Sequence, residues 1–205
     1  MIELRPETFT LVQFDADEVR RIAKEAAARA GVTDAVVEID EELPQPITAF
    51  VAGVVEGRGQ IWMSGGNLED ARNPAQLHVD NAEVELTAAM LRVRDRLQPG
   101  FAAAPDESEL SDRDRAAWET WAYGRCARLG LAVREQRSRY ALRLFQGFTD
   151  VTDAAFERLW AADELTWDDL VKIGDDTAAV DPRPPVAANR VATRQASIKE
   201  RAASG

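Results

Sequence analysis

Residues 47–64, ITAFVAGVVEGRGQIWMS, decide the fold class of this chain. Two β-prone runs lie on either side of Gly57 and Gly59, and a glycine-bearing turn between two such runs is typical of a β-hairpin. A third β-prone run, AVVEID at residues 35–40, lies shortly before the hairpin and is stopped by a pair of prolines. The three runs together predict a small sheet.

A helix is predicted between the N-terminus and this sheet. Asp15 and Glu18 have the spacing of a capping box, and Gly31 can end a helix in the left-handed conformation. Residues 8–14, TFTLVQF, alternate weakly between apolar and polar and are predicted to form a first strand before the helix. Within the helix, apolar residues recur at the helical period, namely Val19, Ile22, Ala26 and Ala30.

A second long helix is predicted to begin at Asp80. Asp80 and Glu83 repeat the capping-box spacing, and Pro99 with Gly100 can end the helix. The resulting β-α-β-β-β-α order predicts an α+β domain over residues 1–98, with a small mixed or antiparallel sheet and two long helices on one face. The strand order is left open. The apolar stripe of this helix consists of Leu86, Met90, Val93 and Leu97.

The second half of the chain is predicted to be helical. Residues 99–111 are small, acidic and turn-forming and are interpreted as a linker, whereas residues 112–174 contain several helix caps and apolar stripes. We expect this helical region to dock on the sheet domain, because about 60 residues give only a marginal core of their own. Residues 132–146 fit both a strand alternation and a helical period, and we favour a helix. Residues 175–205 have the composition of a mobile basic tail.

The charge of the chain is strongly negative and unevenly distributed. The formal net charge is −11, and residues 177–205 carry five positive against two negative side chains, which leaves −14 on residues 1–176. Residues 1–176 are therefore expected to repel nucleic acid and acidic membranes through their average electrostatic field. Any site that binds an anion therefore has to be local.

The composition also predicts the compartment. No apolar run is long enough to cross a membrane, and the first twenty residues lack the pattern of a signal peptide, so a cytoplasmic location is expected. The single cysteine, Cys126, cannot form an internal disulfide, and we expect it to pack as a small apolar residue. Of the 25 basic residues only Lys24, Lys172 and Lys199 are lysines, a bias that suggests a GC-rich bacterial genome.

One stretch contains a possible catalytic set. Ser64, Asp70 and His78 could supply a nucleophile, an orienting carboxylate and a base, and such triads tolerate any order along the chain. The surrounding sequence lacks a G-x-S-x-G elbow or an S-x-x-K motif. We therefore favour a structural interpretation, in which glycines 65 and 66 form a turn and His78 precedes the second helix.

No metal or cofactor is predicted. One histidine and one cysteine, 48 positions apart, cannot form a zinc site, and the acidic run at residues 38–43 lacks the glycine and closing glutamate of a calcium loop. Neither of the common glycine-rich phosphate-binding motifs occurs. The glycines of residues 53–60 belong to the hairpin and lead into a strand, whereas a phosphate loop leads into a helix.

The strongest local charge feature lies between residues 125 and 143. Six arginines oppose a single glutamate there, with aromatic side chains between them, and arginine is well suited to bind carboxylate or phosphate and to stack on rings. The alternative is that these arginines pair with acids of the same fold, for example those of residues 106–109. The proposed anion- or partner-binding residues are Arg125, Arg128, Arg134, Arg137, Arg139, Arg143 and Tyr140.

Three functions are compatible with these observations. The favoured hypothesis is a cytoplasmic, non-catalytic interaction or assembly protein that uses the arginine and aromatic residues to bind another protein or a second copy of itself, with a small anion as a possible ligand. The second hypothesis is a hydrolase or transferase with a pocket near the loop of residues 64–78. The third is a nucleotide or nucleic-acid binder acting through residues 125–143, and the acidic body disfavours it. No membrane partner is expected.

Overall fold

The computed structural model describes residues 1–182. The chain divides into two compact units: the first comprises Met1–Gln98 and Cys126–Val133, and the second comprises Pro99–Arg125 and the residues from Arg134 onward. Both units are built from the predicted element types, and the α+β fold class is confirmed. No helix of residues 1–182 combines the length and the apolarity that a membrane span requires.

The first unit contains a four-stranded mixed sheet with two long helices packed on it and on each other. The elements are β1 (Ile2–Arg5), α1 (Ala16–Ala30), β2 (Ala35–Asp40), β3 (Phe50–Val55), β4 (Arg58–Ser64) and α2 (Val79–Arg96). The strand order is β1-β2-β4-β3, in which β1, β2 and β4 run parallel and β3 runs antiparallel to β4. A parallel pair needs a crossover connection, and α1 supplies it between β1 and β2.

The predicted hairpin is confirmed. Val55 pairs with Arg58, and the two residues between them, Glu56 and Gly57, both have positive φ, at 52° and 79°. Two residues with positive φ form the type I′ turn, whose twist matches that of the flanking strands. The second glycine, Gly59, lies in β4, where an added Cβ would be 2.7 Å from the side chain of Val93. This glycine therefore allows α2 to approach the sheet closely.

The predicted first strand was wrong. The strand is Ile2–Arg5, paired in parallel with β2, and residues 8–14 form bends with one isolated bridge at Gln13. A strand that ended at residue 14 would leave one residue before α1, whereas connections between strands and helices usually need two to six. The bends are held by the carboxylate of Glu41, which accepts hydrogen bonds from the N–H groups of Thr10 and Leu11 at 2.7 and 2.6 Å.

The first long helix is confirmed, and the start of the second needs correction. The carboxylate of Asp15 caps α1 by accepting from the N–H of Asp17 at 2.9 Å, and Gly31 ends the helix with φ at 73°. In α2, however, the cap is His78 and not Asp80: the ring Nδ1 accepts from the N–H of Asn81 at 3.3 Å. A histidine can replace Ser or Asp at this position because its neutral ring has a nitrogen acceptor.

The second unit is a helical assembly with an aromatic core. Its residues 99–111, interpreted as a linker, contribute Phe101 and Leu110 to that core, and the Phe101 ring stacks on Trp121 with centroids 5.9 Å apart. The helices are α3 (Asp112–Arg128), α4 (Glu135–Gln146), α5 (Asp150–Ala161) and α6 (Trp167–Val180). Within the ambiguous stretch of residues 132–146, residues 135–146 are helical, and α6 continues past Gly174 to Val180.

Two helices of this unit approach closely at a glycine. An added Cβ on Gly124 of α3 would lie 2.5 Å from the carbonyl oxygen of Trp160 in α5. The rest of the core is filled by large apolar side chains, including Trp118, Phe156 and Trp167. Docking of the helical region on the sheet domain stays a prediction. The predicted tail of residues 175–205 is wrong for residues 175–180, which continue α6, and its part from position 183 onward lies outside the described residues.

The last residues of α3 belong to the first unit. Cys126 is fully buried and forms no disulfide, as the sequence predicts, and its thiol donates to the carbonyl oxygen of Val84 in α2 at 3.8 Å. The first unit therefore consists of two separate pieces of chain.

Candidate functional site

Helix α4 carries the most distinctive surface of the second unit. Ser138, Leu142 and Gln146 form its buried face, with the spacing of four residues that one face of a helix requires. Gly147, with φ at 104°, ends the helix in a conformation that favours glycine. On the opposite face Arg137, Tyr140, Ala141 and Leu144 are exposed at i, i+3, i+4 and i+7.

Two of the six predicted arginines pair with acids of the same unit. The guanidinium of Arg143 binds both carboxylate oxygens of Asp153, at 2.8 and 2.7 Å. Arg139 binds Glu135 and Glu157 and lies 4.0 Å over the ring of Phe156. These acids belong to α4 and α5, whereas Glu107 of the acidic segment pairs with Arg115.

The ion pair between Arg143 and Asp153 shifts the pKa values of both side chains. The Arg143 guanidinium holds the pKa of Asp153 below its usual range, and Asp153 in turn raises the pKa of Arg143. Both side chains are about one-third exposed, so solvent screens the pair and its net contribution to stability is small. Its bidentate geometry nevertheless fixes the position of α4 relative to α5.

Two other predicted arginines do not belong to this face. Arg125 is buried and its guanidinium lies 3.6 Å from the centre of the Trp121 ring, a cation–π contact within the second unit. Arg128 is exposed at the end of α3 and is part of the first unit. The structure therefore does not bring the six arginines together as one surface.

Arg134 and Arg137 are the two predicted arginines that are available to bind a ligand or a partner. Both are exposed, and neither forms an ion pair with any residue between 1 and 182. Arginine stays protonated at any physiological pH, so both positions carry a permanent positive charge. They lie in the turn before α4 and in its first turn.

An exposed apolar patch lies beside these two charges. Tyr140 is 56% exposed, Phe148 53% and Leu144 43%. The rings of Tyr140 and Phe148 meet edge to face, with centroids 5.9 Å apart and an interplanar angle of 67°. We call Arg134, Arg137, Tyr140, Leu144 and Phe148 the α4 surface. A contiguous apolar patch rimmed by charge is typical of an interaction site.

The possible catalytic residues are each bonded elsewhere. Ser64 is buried, and its hydroxyl donates to the carbonyl oxygen of Ile47 at 2.9 Å and lies 2.8 Å from Oδ1 of Asn67. His78 is the cap of α2. Within residues 1–182 no hydrogen bond joins Ser64, Asp70 and His78 to one another.

Asp70 stabilises a tight turn. This residue ends β5 (Glu69–Asp70), which pairs with β6 (Asn73–Leu77), and its carboxylate accepts from the N–H of Arg72 at 2.9 Å and from the amide of Asn73 at 2.7 Å. The hydrogen bonds from Arg72 and Asn73 lower the pKa of Asp70.

Ser64 belongs to a buried network of hydrogen-bonded polar side chains. Asn67 Oδ1 accepts from the N–H of Ala49 at 2.7 Å, and Oε2 of the buried Glu69 accepts from the N–H of Gln45 at 3.2 Å. These bonds hold the loop between β2 and β3. Glu69 could not be predicted as a member of this network, because no local sequence pattern distinguishes a buried glutamate from an exposed one. Among residues 1–182 no group of three or more His, Cys, Asp or Glu side chains could hold a metal ion.

The function therefore has to be inferred from the α4 surface. No protein-family model, no curated protein and no solved structure matches this chain.

Proposed function

We propose that this chain is a cytoplasmic, non-catalytic protein that works by contact with another protein through the α4 surface. The observation that carries the proposal is the pair of touching aromatic rings, Tyr140 on α4 and Phe148 just after its end, each more than half exposed. Aromatic and arginine side chains dominate the binding energy of protein interfaces, and Tyr140 lies beside two available arginines.

The chemistry of the surface indicates what kind of partner fits. Its centre is apolar, so the partner has to offer an apolar side chain that covers Tyr140 and Phe148. Arg134 and Arg137 add charge at one end, and a carboxylate there would form charge-assisted hydrogen bonds with them. Because the net charge of the chain is −11, its overall field does not attract an acidic partner from a distance, so recognition is local.

A site-specific photo-crosslinker tests the proposal. A photoreactive phenylalanine analogue is placed at Tyr140, the variant is expressed in the native host, and adducts are identified by mass spectrometry. The matched control carries the analogue at Leu11, which is 62% exposed and lies in the first unit. We expect a discrete adduct at Tyr140 and none at Leu11. Equal labelling at both positions, or no adduct at Tyr140, would refute the proposal.

A nucleotide or nucleic-acid ligand is the second candidate. Two available arginines beside an exposed tyrosine ring could bind a phosphate and stack on a base. With two arginines engaged on a single strand, the logarithm of the affinity should fall with the logarithm of the salt concentration with a slope of about −1.4. Unchanged mobility of labelled RNA and DNA at low salt would eliminate this candidate.

A further inference from the structure

We propose that, when no partner is bound, the apolar part of the α4 surface is covered by the proline-rich residues 183–186, RPPV, of this same chain. These residues directly follow Pro182, the last residue that the structure describes. The inference rests on the proposed function and adds its regulation, because the segment and the partner would compete for Tyr140 and Phe148.

The described part of the chain ends beside the α4 surface. The guanidinium of Arg113 donates to the carbonyl oxygen of Gln146, at 3.4 Å, and to that of Asp181. Asp181 also packs tightly on Gly147, where an added Cβ would lie 2.9 Å from the Cβ of Asp181. Phe148 follows Gly147 directly, so the chain leaves the described structure next to the exposed Phe148 ring.

A short segment is sufficient to reach both aromatic rings. The centroids of the Tyr140 and Phe148 rings lie 5.9 Å apart. A proline-rich chain advances about 3.1 Å per residue in its preferred extended conformation, so Pro184 and Pro185 can extend about 9 and 12 Å beyond Asp181. Both rings are therefore within reach of the two prolines.

The segment and the surface match in their chemistry. Proline-rich segments bind surfaces lined by aromatic rings, because the extended polyproline conformation is already formed and little entropy is lost on binding. The exposed apolar area also continues toward the end of α6, where Val180 is 54% exposed immediately before Asp181. Residues 184–186 are all apolar and would cover this area.

The charges at this end of the surface favour the chain's own segment. Residues 183–205 carry five positive side chains and one negative, a net charge of +4, which leaves −15 on residues 1–182. Asp150 is exposed two residues after Phe148 and forms no ion pair within residues 1–182. Its carboxylate can therefore bind Arg183.

The charges also limit the length of the contact. Arg134 and Arg137 lie at the start of α4, at the other end of the surface from Phe148. Like charges there oppose the later basic residues of the chain, such as Arg190. The contact is therefore confined to residues 183–186, and it leaves the two arginines of α4 to a partner.

Because the segment is tethered to its binding surface, a weak contact is sufficient. A short connection gives such a segment an effective concentration in the millimolar range. A contact with a dissociation constant of about 1 mM would then be occupied about half of the time and would lower the apparent affinity of a partner about twofold. Such a contact opens reversibly, so a partner that binds more tightly displaces it.

Photo-crosslinking of the purified full chain tests the inference. The photoreactive phenylalanine analogue at Tyr140 is activated in dilute protein, and the adduct is mapped by mass spectrometry. We expect an adduct of monomer mass that joins position 140 to residues 183–186, with a yield independent of protein concentration. The inference is overturned by the absence of an adduct with these residues, and equally by an adduct of twice the monomer mass, which would assign the contact to a second copy.

Two double variants show whether the prolines make the contact. Replacing Pro184 and Pro185 together by serine should lower the yield of this adduct at least about threefold, because serine has neither the ring nor the fixed backbone angle of proline. The matched control replaces Val191 and Ile198 together by serine, and its yield should equal that of the chain without these changes. Identical yields for the two double variants would contradict the inference.

The same analogue in the native host distinguishes failure of this inference from failure of the proposed function. An adduct with another protein, with a yield that rises about twofold or more when Pro184 and Pro185 are replaced, supports both. A partner adduct without an intrachain adduct refutes the inference and leaves the interaction function standing. An intrachain adduct without any partner adduct, even in the proline variant, refutes the proposed function and leaves the intrachain contact standing.

Discussion

Replacing Gly124 by alanine should destabilise the second unit through a backbone clash. The added Cβ would lie 2.5 Å from the carbonyl oxygen of Trp160 and 2.9 Å from its Cα. Both distances are shorter than an ordinary van der Waals contact by up to about one ångström. Neither atom can rotate away, so α3 and α5 have to separate. Overpacking of this kind costs about 1–3 kcal/mol, and alanine regains about 1 kcal/mol of helix propensity. We expect a net loss of up to about 2 kcal/mol in the free energy of unfolding.

The matched control is Gly174→Ala in α6 of the same unit. There the added Cβ would lie 3.0 Å from Oδ1 of Asp114, the end of a side chain that can move by a few tenths of an ångström. The helix propensity gain is the same, so this variant should be as stable as the wild type or more stable.

Urea unfolding followed by tryptophan fluorescence provides the measurement, because four of the five tryptophans lie in the second unit. Gly124→Ala should shift the midpoint to lower urea without a change in slope. If the two alanine variants unfold at the same urea concentration, the close approach of α3 and α5 is not the reason for the glycine.

Three further predictions concern burial and pH. Burial raises the pKa of Asp114, so the folded state favours its neutral form. The contribution of this neutral carboxyl to stability is lost as pH rises through the folded pKa. The variant Asp114→Asn should therefore be more stable than the wild type at pH 7 and lose that advantage near pH 4, as measured by thermal unfolding. Burial also raises the pKa of Glu41, but hydrogen bonds from the loop N–H groups together lower this pKa below its usual value. Glu41→Gln should therefore destabilise the protein at pH 7 and have little effect once pH falls below the folded pKa of Glu41. Equal effects at both pH values would contradict either prediction. Gly66→Ala would place a Cβ 2.1 Å from the carbonyl oxygen of Ile47, and we expect a loss of at least about 2 kcal/mol, checked by denaturant unfolding.

Local signals along the chain were sufficient for several elements. In α1 the Asp15 cap, the apolar stripe and Gly31 all lie within the helix or next to it, and each acts as predicted. The hairpin depends in the same way on adjacent residues. In these two elements the deciding interactions are local and involve common residue types, so pattern and structure agree.

Interactions between distant parts of the chain account for the wrong first strand, and an uncommon residue type accounts for the wrong helix cap. Residues 8–14 are β-prone, yet β2 pairs with Ile2–Arg5, and Glu41, which lies thirty residues away, holds the segment in bends. Strand propensity reflects packing with neighbours, which a single run does not show. The cap of α2 is a histidine, a residue type outside the common cap preferences.

The candidate surface was predictable in outline only. Clustered arginines and aromatic residues indicated an interaction face between residues 125 and 143. Which arginines pair internally depends on acids of the next helix, such as Asp153 and Glu157, and on the register between α4 and α5. That register is a tertiary property. The structure therefore narrows the face to residues of α4 and the turns next to it.

The two-piece construction of the first unit has a consequence for how the chain is made. A ribosome that has synthesised Gln98 has still to add 35 residues before Val133 completes that unit. At about 5–20 residues per second this takes roughly 2–7 s. The first unit therefore lacks its second piece, Cys126–Val133, until the whole of α3 has been made, and we expect a nascent chain halted at Gln98 to be more sensitive to protease than one halted well beyond Val133.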